Sequence, residues 1–158
     1  MGRFARVLSL AVLPVLAFSS LAAGNCTLGF WKTHPETWCE TTLQLGDVNY
    51  VQEELLAILN LPVEGNGLVS LAHQLIAAKL NVACGSDPVS EIDDADVLIG
   101  SLVVPPVGSG FLDPAVTSSL IMALDAFNNA PGDPGGFGGC APISIEDFSW
   151  GRVKAVYR

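Results

Sequence analysis

Positive charge is scarce in this chain: lysine and arginine number 7 against 16 aspartates and glutamates in 158 residues. A surface of that sign repels phosphate backbones, which argues against nucleic acid and anionic membranes as partners. Histidine is scarcer, with 2 copies, His34 and His73. They form no H-x-x-x-H or H-E-x-x-H pair, so a zinc centre lacks its ligand set. None of the 4 cysteines belongs to a C-x-x-C, which leaves thiol exchange and structural zinc without support. No G-x-S-x-G marks an activated serine. The acidic group Asp87, Glu91, Asp93, Asp94 and Asp96 lacks the D-x-D-x-D-G order that gathers oxygens around calcium. Favourable charge near a helix start accounts for most of it. The run Gly135-Gly136-Phe137-Gly138-Gly139 is a single copy, and Cys140 stands where a calcium-binding repeat needs aspartate. No metal and no cofactor are therefore expected.

Long apolar runs are also missing. Val7 to Phe18 falls short of the roughly 20 residues that span a bilayer. Arg3 and Arg6 precede it and Ser19-Ser20-Leu21-Ala22-Ala23-Gly24 follows, so residues 1–23 read as a secretory signal peptide. Cleavage is expected after Ala22, Ala23 or Gly24, since no charge follows closely to stop transfer. Asn25 separates Cys26 from the small residues, which is not the placement of a lipoprotein cysteine. Removal of the signal takes two arginines and no acids from a net charge of −9, leaving about −11. The bland account of that charge is a solvated acidic coat on an exported protein. The expected product is a single domain, residues 24–158, secreted or held in the cell envelope, with no membrane span after processing.

Cys26, Cys39, Cys84 and Cys140 all lie in that domain. An even count in an exported chain points to two disulfides, with three connectivities open. Asn25-Cys26-Thr27 matches a glycosylation acceptor.

Helical patterning dominates the rest. Thr42 to Tyr50 (TLQLGDVNY) alternates around Gly46-Asp47 and reads as a short hairpin or an extended entry segment. Val51–Asn60 places Leu55, Leu56 and Leu59 at helical spacing, with acids in its first turn and Pro62 beyond its end. Leu68 to Cys84 carries the widest apolar face, Leu68, Leu71, Ala72, Leu75, Ile76 and Leu80, and Gly85 is placed to end it. A third helix is expected from Pro88 to about Val103, capped by Asp87, with Ile92, Ala95, Leu98, Ile99 and Leu102 inward. Asp113-Pro114 opens a fourth, to about Asn129, with Val116, Leu120, Ala123, Leu124 and Phe127 inward. Residues 131–139 (PGDPGGFGG) read as a loop, and a last short helix near Ser149 carries Trp150, Val153 and Tyr157. The turns Pro62-Val63-Glu64-Gly65-Asn66-Gly67 and Pro106-Val107-Gly108-Ser109-Gly110 echo each other, as in two helical hairpins. The fold class is thus mainly α, a small disulfide-stapled bundle of about four helices with an optional N-terminal hairpin.

Chemistry concentrates in Gly29–Cys39, GFWKTHPETWC. Pro35 suits the start of a short helix with Glu36 in its first turn. Trp31 and Trp38 offer flat stacking surfaces for a ligand such as a sugar, and His34 with a carboxylate such as Glu36 is a candidate general base. Large aromatics more often fill cores, so a plug at one end of the bundle ranks first, a ligand face second and catalysis last. His73 sits one position off the apolar stripe of its helix, and a hydrogen-bonded histidine at the core's edge outranks a ligand.

With these residues laid out, the chain resembles a group of exported bacterial proteins of unknown function. The likeness is carried by G-[FY]-W-K-x-H-P-x-x-W at Gly29 to Trp38 and by the GNGLVSLAHQLIAAKLN stretch from Gly65 to Asn81, and it extends through Leu98-Ile99-Gly100 to Cys140. Members of that group often have proline after the second tryptophan and a non-cysteine after the position of Ala83. Here those places hold Cys39 and Cys84. The resemblance therefore implies a Cys39–Cys84 bond, with Cys26–Cys140 as the other, clamping the aromatic segment onto the Leu68 helix. It implies no catalytic residue. The expected function is a non-enzymatic extracellular or envelope module that binds a surface component, another extracellular protein or a glycan, with Trp31, His34, Trp38 and His73 as the candidate binding residues. The rival is a small secreted hydrolase using His34.

Overall fold

The computed structural model describes residues 25–130. The expected signal peptide, the loop expected at residues 131–139 and the helix expected near Ser149 lie outside the described residues. The chain order is α1 (Leu28–Thr33), a 3-10 turn (Pro35–Thr37), β1 (Thr42–Leu45), β2 (Val48–Val51), α2 (Gln52–Asn60), α3 (Gly67–Ala83), α4 (Ser90–Ile99) and α5 (Pro114–Asn128). The architecture of the described residues is mainly helical with one small hairpin.

α3 is the axis. Twelve of its 17 residues are buried, from Gly67 to Asn81, and α1, α2, α4, α5 and β1 all pack on it. A helix apolar on nearly every side must be covered on nearly every side. Asn66 caps its start by accepting from Leu68 N at 3.0 Å, and Gly85, at φ +109°, follows its end in a conformation open to glycine.

The hairpin pairs Thr42 with Val51 and Leu45 with Val48. Leu43, Leu45 and Tyr50 point into the core, which is the alternation that a one-sided strand pair requires. Its Gly46-Asp47 turn is docked on α4, with Asp47 N donating to Gly100 O at 2.8 Å and Gly46 N to Asp96 Oδ1 at 2.8 Å. Asp96 also pairs with Lys79 of α3, so one carboxylate joins turn, α3 and α4. Tyr50 accepts from Val104 N at 2.9 Å through its hydroxyl, and burial pushes that phenol's pKa up.

Two helices depart from the sequence expectation. α4 spans Ser90–Ile99 rather than Pro88 to Val103, with Val89 and not Asp87 at its N-cap. Val89 packs against the core from that position, and Gly100, at φ 51° and ψ −129°, breaks the helix before Leu102. α5 is rotated: its buried residues are Thr117, Leu124 and Asn128, while Val116, expected inward, is 54% exposed. The reason is polar. Asn128 must reach partners on α3, and Thr117 sits against Gly67, where a Cβ would lie 2.7 Å from the Thr117 hydroxyl.

The two echoing turns meet each other. Gly67 N donates to Leu112 O at 2.9 Å and Asn66 Nδ2 to Gly110 O at 2.9 Å. Each linker thereby satisfies backbone groups of the other, which water would otherwise have to serve.

Gly67→Ala should destabilise the fold by about 1–3 kcal/mol, because Leu112 O and the Thr117 hydroxyl leave no room for a methyl. Gly29→Ala, at an exposed position of α1 where a Cβ would meet only the Thr27 hydroxyl at 3.8 Å, should be neutral or stabilise by up to about 1 kcal/mol. Urea denaturation of the two variants checks the contrast.

Candidate functional site

The GFWKTHPETWC segment folds as α1 followed by the 3-10 turn. Thr27 caps α1 by accepting from Phe30 N at 3.2 Å, and Pro35 opens the 3-10 turn. Trp31 is 2% exposed and Trp38 8% exposed. Their ring nitrogens are engaged inside the protein: Trp31 Nε1 donates to Asn81 Oδ1 at 3.2 Å, and Trp38 Nε1 to Trp31 O at 2.9 Å. Stacking a ligand requires an indole face open to solvent, and this burial leaves none. Both rings belong to the hydrophobic core, and Trp31 is bonded to Asn81 of α3.

Asn81 is the residue that organises the site, and sequence inspection does not single it out. Its Oδ1 accepts from Cys26 N at 2.7 Å and from Trp31 Nε1; its Nδ2 donates to Cys26 O at 2.9 Å and to Asn128 Oδ1 at 3.0 Å. An amide side chain has two donors and two acceptor sites, so all four are used. Asn128 continues the chain, donating to Gln74 O at 3.0 Å and Gln74 Oε1 at 2.9 Å. Asn25 Nδ2 adds a bond to Phe127 O at 2.6 Å. Together these groups bind the N-terminal segment, α3 and α5 into one buried polar seam. The available signal was an asparagine near the end of a largely apolar helix, where its local backbone competition disfavours it unless a partner is present.

Cys39–Cys84 closes the other side of the segment, with Cα atoms 5.4 Å apart across 45 residues of chain. It joins the end of the 3-10 turn to the C-cap of α3. No free cysteine occurs among the described residues. The Cys26–Cys140 pair involves Cys140, which lies outside them. A disulfide fits an oxidising, extracytoplasmic compartment, and no helix among the described residues is long and apolar enough to cross a membrane.

The two histidines are far apart in role. His34 is exposed and its ring stacks on Phe30, centroids 4.5 Å apart. Its Nδ1 lies 3.1 Å from Phe30 O and 2.9 Å from the Thr33 hydroxyl. Nδ1 can donate to the Phe30 carbonyl or accept from the Thr33 hydroxyl, so both tautomers of the ring find a partner. Among the described residues no carboxylate hydrogen-bonds this ring, and Glu36 sits exposed on the 3-10 turn. His73 is 9% exposed and its Nε2 donates to Ile58 O at 2.7 Å, tying α3 to the last turn of α2. Burial lowers its pKa most; the bond to Ile58 O opposes that, and Lys32 adds to the lowering. No cluster of three potential metal ligands occurs among the described residues.

Asn81→Ala strands an indole N–H, the Cys26 backbone and the Asn128 carbonyl, so a loss of at least about 3 kcal/mol in urea unfolding is expected. His73 supplies a pH test. Its folded pKa lies below its ordinary 6.5, so the unfolded chain binds more protons just below that pH. Its contribution is complete above pH 6.5 and declines as pH falls. His73→Gln, which retains a donor for Ile58 O, should flatten the fall in stability just below pH 6.5, measured as the difference between the two pH profiles.

No family model matches this chain, and no curated protein or solved structure was found to be similar to it.

Proposed function

We propose that this chain is an exported, non-enzymatic module of the extracellular space or cell envelope, related to the exported bacterial proteins its GFWKTHPETW segment resembles. The observation that supports this reading is the use made of its chemistry-bearing residues. Trp31 and Trp38 are spent on Asn81 and on each other, and His73 on the end of α2. Cys39–Cys84 locks the same segment to α3, a crosslink suited to export. The partner, another extracellular protein or a glycan, then meets the outer surface and not the tryptophans. That surface is acidic: Lys32 and Lys79 are the sole lysines between residues 25 and 130, which hold no arginine, and Lys79 is already paired with Asp96.

One observation favours the rival, a small secreted hydrolase. His34 is exposed, and its ring is held on Phe30 with Nδ1 beside Phe30 O and the Thr33 hydroxyl, an orientation that a general base also needs. A carboxylate partner would have to come from a rearrangement or from a substrate.

The test combines fractionation with catalysis. The processed chain should appear outside the cytoplasm, and purified folded protein should be retained on isolated cell envelopes, equally for His34→Ala. Panels of ester, peptide and glycoside probes should show no turnover. Hydrolysis of any probe that His34→Ala abolishes overturns the non-enzymatic reading in favour of the rival.

A further inference from the structure

The Cys39–Cys84 bridge is open to water at one end. Cys39 is exposed, among exposed neighbours Thr37, Glu40 and Thr41, and Cys84 is half-buried at the C-cap of α3. Cys26, also disulfide-bonded, is 2% exposed. Buried sulfur is closed to an attacking thiolate, whereas exposed disulfides are the labile ones.

Neither end relies on the bridge for its place. Trp31 and Trp38, which precede Cys39, are held by Asn81 and by the Trp31 carbonyl, and Gln52 Nε2 donates to Pro35 O at 2.7 Å. Around the other sulfur, Cys84 N donates to Leu80 O at 2.9 Å and Ser86 N to Asn81 O at 3.0 Å. Opening the sulfur bond therefore removes a crosslink and none of these hydrogen bonds. What it frees is short: residues 39–41, between buried Trp38 and β1.

The setting of the two sulfurs selects the reagent. Attack of an external thiolate on the exposed Sγ of Cys39 breaks the S–S bond and expels Cys84 as a thiolate. That thiolate forms at the C-terminal end of a helix, where the dipole disfavours negative charge, so it leaves reluctantly and returns readily. The fold keeps it beside the mixed disulfide, with Cα atoms 5.4 Å apart, and its return expels a monothiol. A dithiol escapes this reversal: its second thiolate attacks its own sulfur in the mixed disulfide and releases Cys39. The dithiol gives up two electrons and two protons and becomes a disulfide, and the bridge takes them up as two thiols.

We propose that Cys39–Cys84 is a thiol-exchange site of the folded domain, a staple opened by an extracytoplasmic dithiol reductant and closed again by exchange with a disulfide. Opening loosens the edge of the aromatic segment at residues 39–41 while α1 and its tryptophan stay seated on α3. The chain has no C-x-x-C, so it is the substrate of such a reductant and not itself one. The device is independent of what the outer surface binds.

The full exported chain, held without denaturant in dithiothreitol, alkylated at intervals with iodoacetamide and mapped by peptide mass, tests this. Cys39 and Cys84 should be labelled together, at least about tenfold faster than Cys26, and reduced glutathione at equal thiol concentration should act at least about tenfold more slowly than dithiothreitol. The far-UV spectrum should be retained. Cleavage after Glu40 by a glutamyl endopeptidase should rise at least about tenfold on opening, while tryptic cleavage after Lys32, inside α1, keeps its starting rate. Exchange into oxidised glutathione should return Glu40 to slow cleavage. Cys39→Ser/Cys84→Ser should stay folded and be cut after Glu40 at the rate of the opened chain. Labelling of Cys26 as fast as that of Cys39, equal rates with the two reductants, faster cleavage after Lys32 on opening, or an unfolded double variant overturns the proposal and leaves the bridge a structural crosslink.

Discussion

The carboxamide of Asn81 is the constraint on which the rest of the described structure depends. It lies in the hydrophobic core, where an unpaired amide costs about 1–3 kcal/mol per stranded group. Each of its hydrogen-bonding positions must therefore be met, and the partners that meet them come from three parts of the chain: Cys26, Trp31 and Asn128. A purely apolar contact would tolerate sliding. A saturated amide does not, so α1 and α5 are held at one height and one rotation against α3.

Several features follow from that requirement. The indole of Trp31 is oriented by it, and Trp38 is oriented in turn by the Trp31 carbonyl. The rotation of α5 that buries Asn128 and Thr117 turns Val116 and Met122 outward. The Cys39–Cys84 bond works on the same segment from the opposite end. In the chain-entropy account, a crosslink closing a loop of 45 residues removes about 4 kcal/mol of freedom from the unfolded chain. Polar seam and sulfur bridge thus act on different states: one specifies the native arrangement, the other restricts its alternatives.

The opening segment illustrates why residue type alone is a poor guide to function. Two tryptophans, a histidine and a glutamate within eleven residues have the content of a binding or catalytic site. Their environments differ from one another: the indole nitrogens point inward to acceptors, and the histidine lies on Phe30. Chemistry on this surface would have to be built around His34 and Glu36, the two members of the set left in contact with water.

Much of the fold was legible along the chain, since local rules suffice where they agree with packing. The apolar stripe of Leu68 to Leu80, the Gly-Asp turn between alternating strands, Pro35 at a helix start and Gly85 at a helix end each carry their own signal, and each is found in place. Where reading failed, the missing information was long-range. Nothing near Val116 says that Asn128 will compete for the interior, and nothing near Asp87 says that Val89 will be drawn into the core. The burial of Trp31 and the saturation of Asn81 join residues 50 positions apart. Periodicity determines which stretches become helices; the rotation of each helix, and hence which side chains remain to meet a partner, was decided in the tertiary structure by the need to satisfy a few buried polar groups.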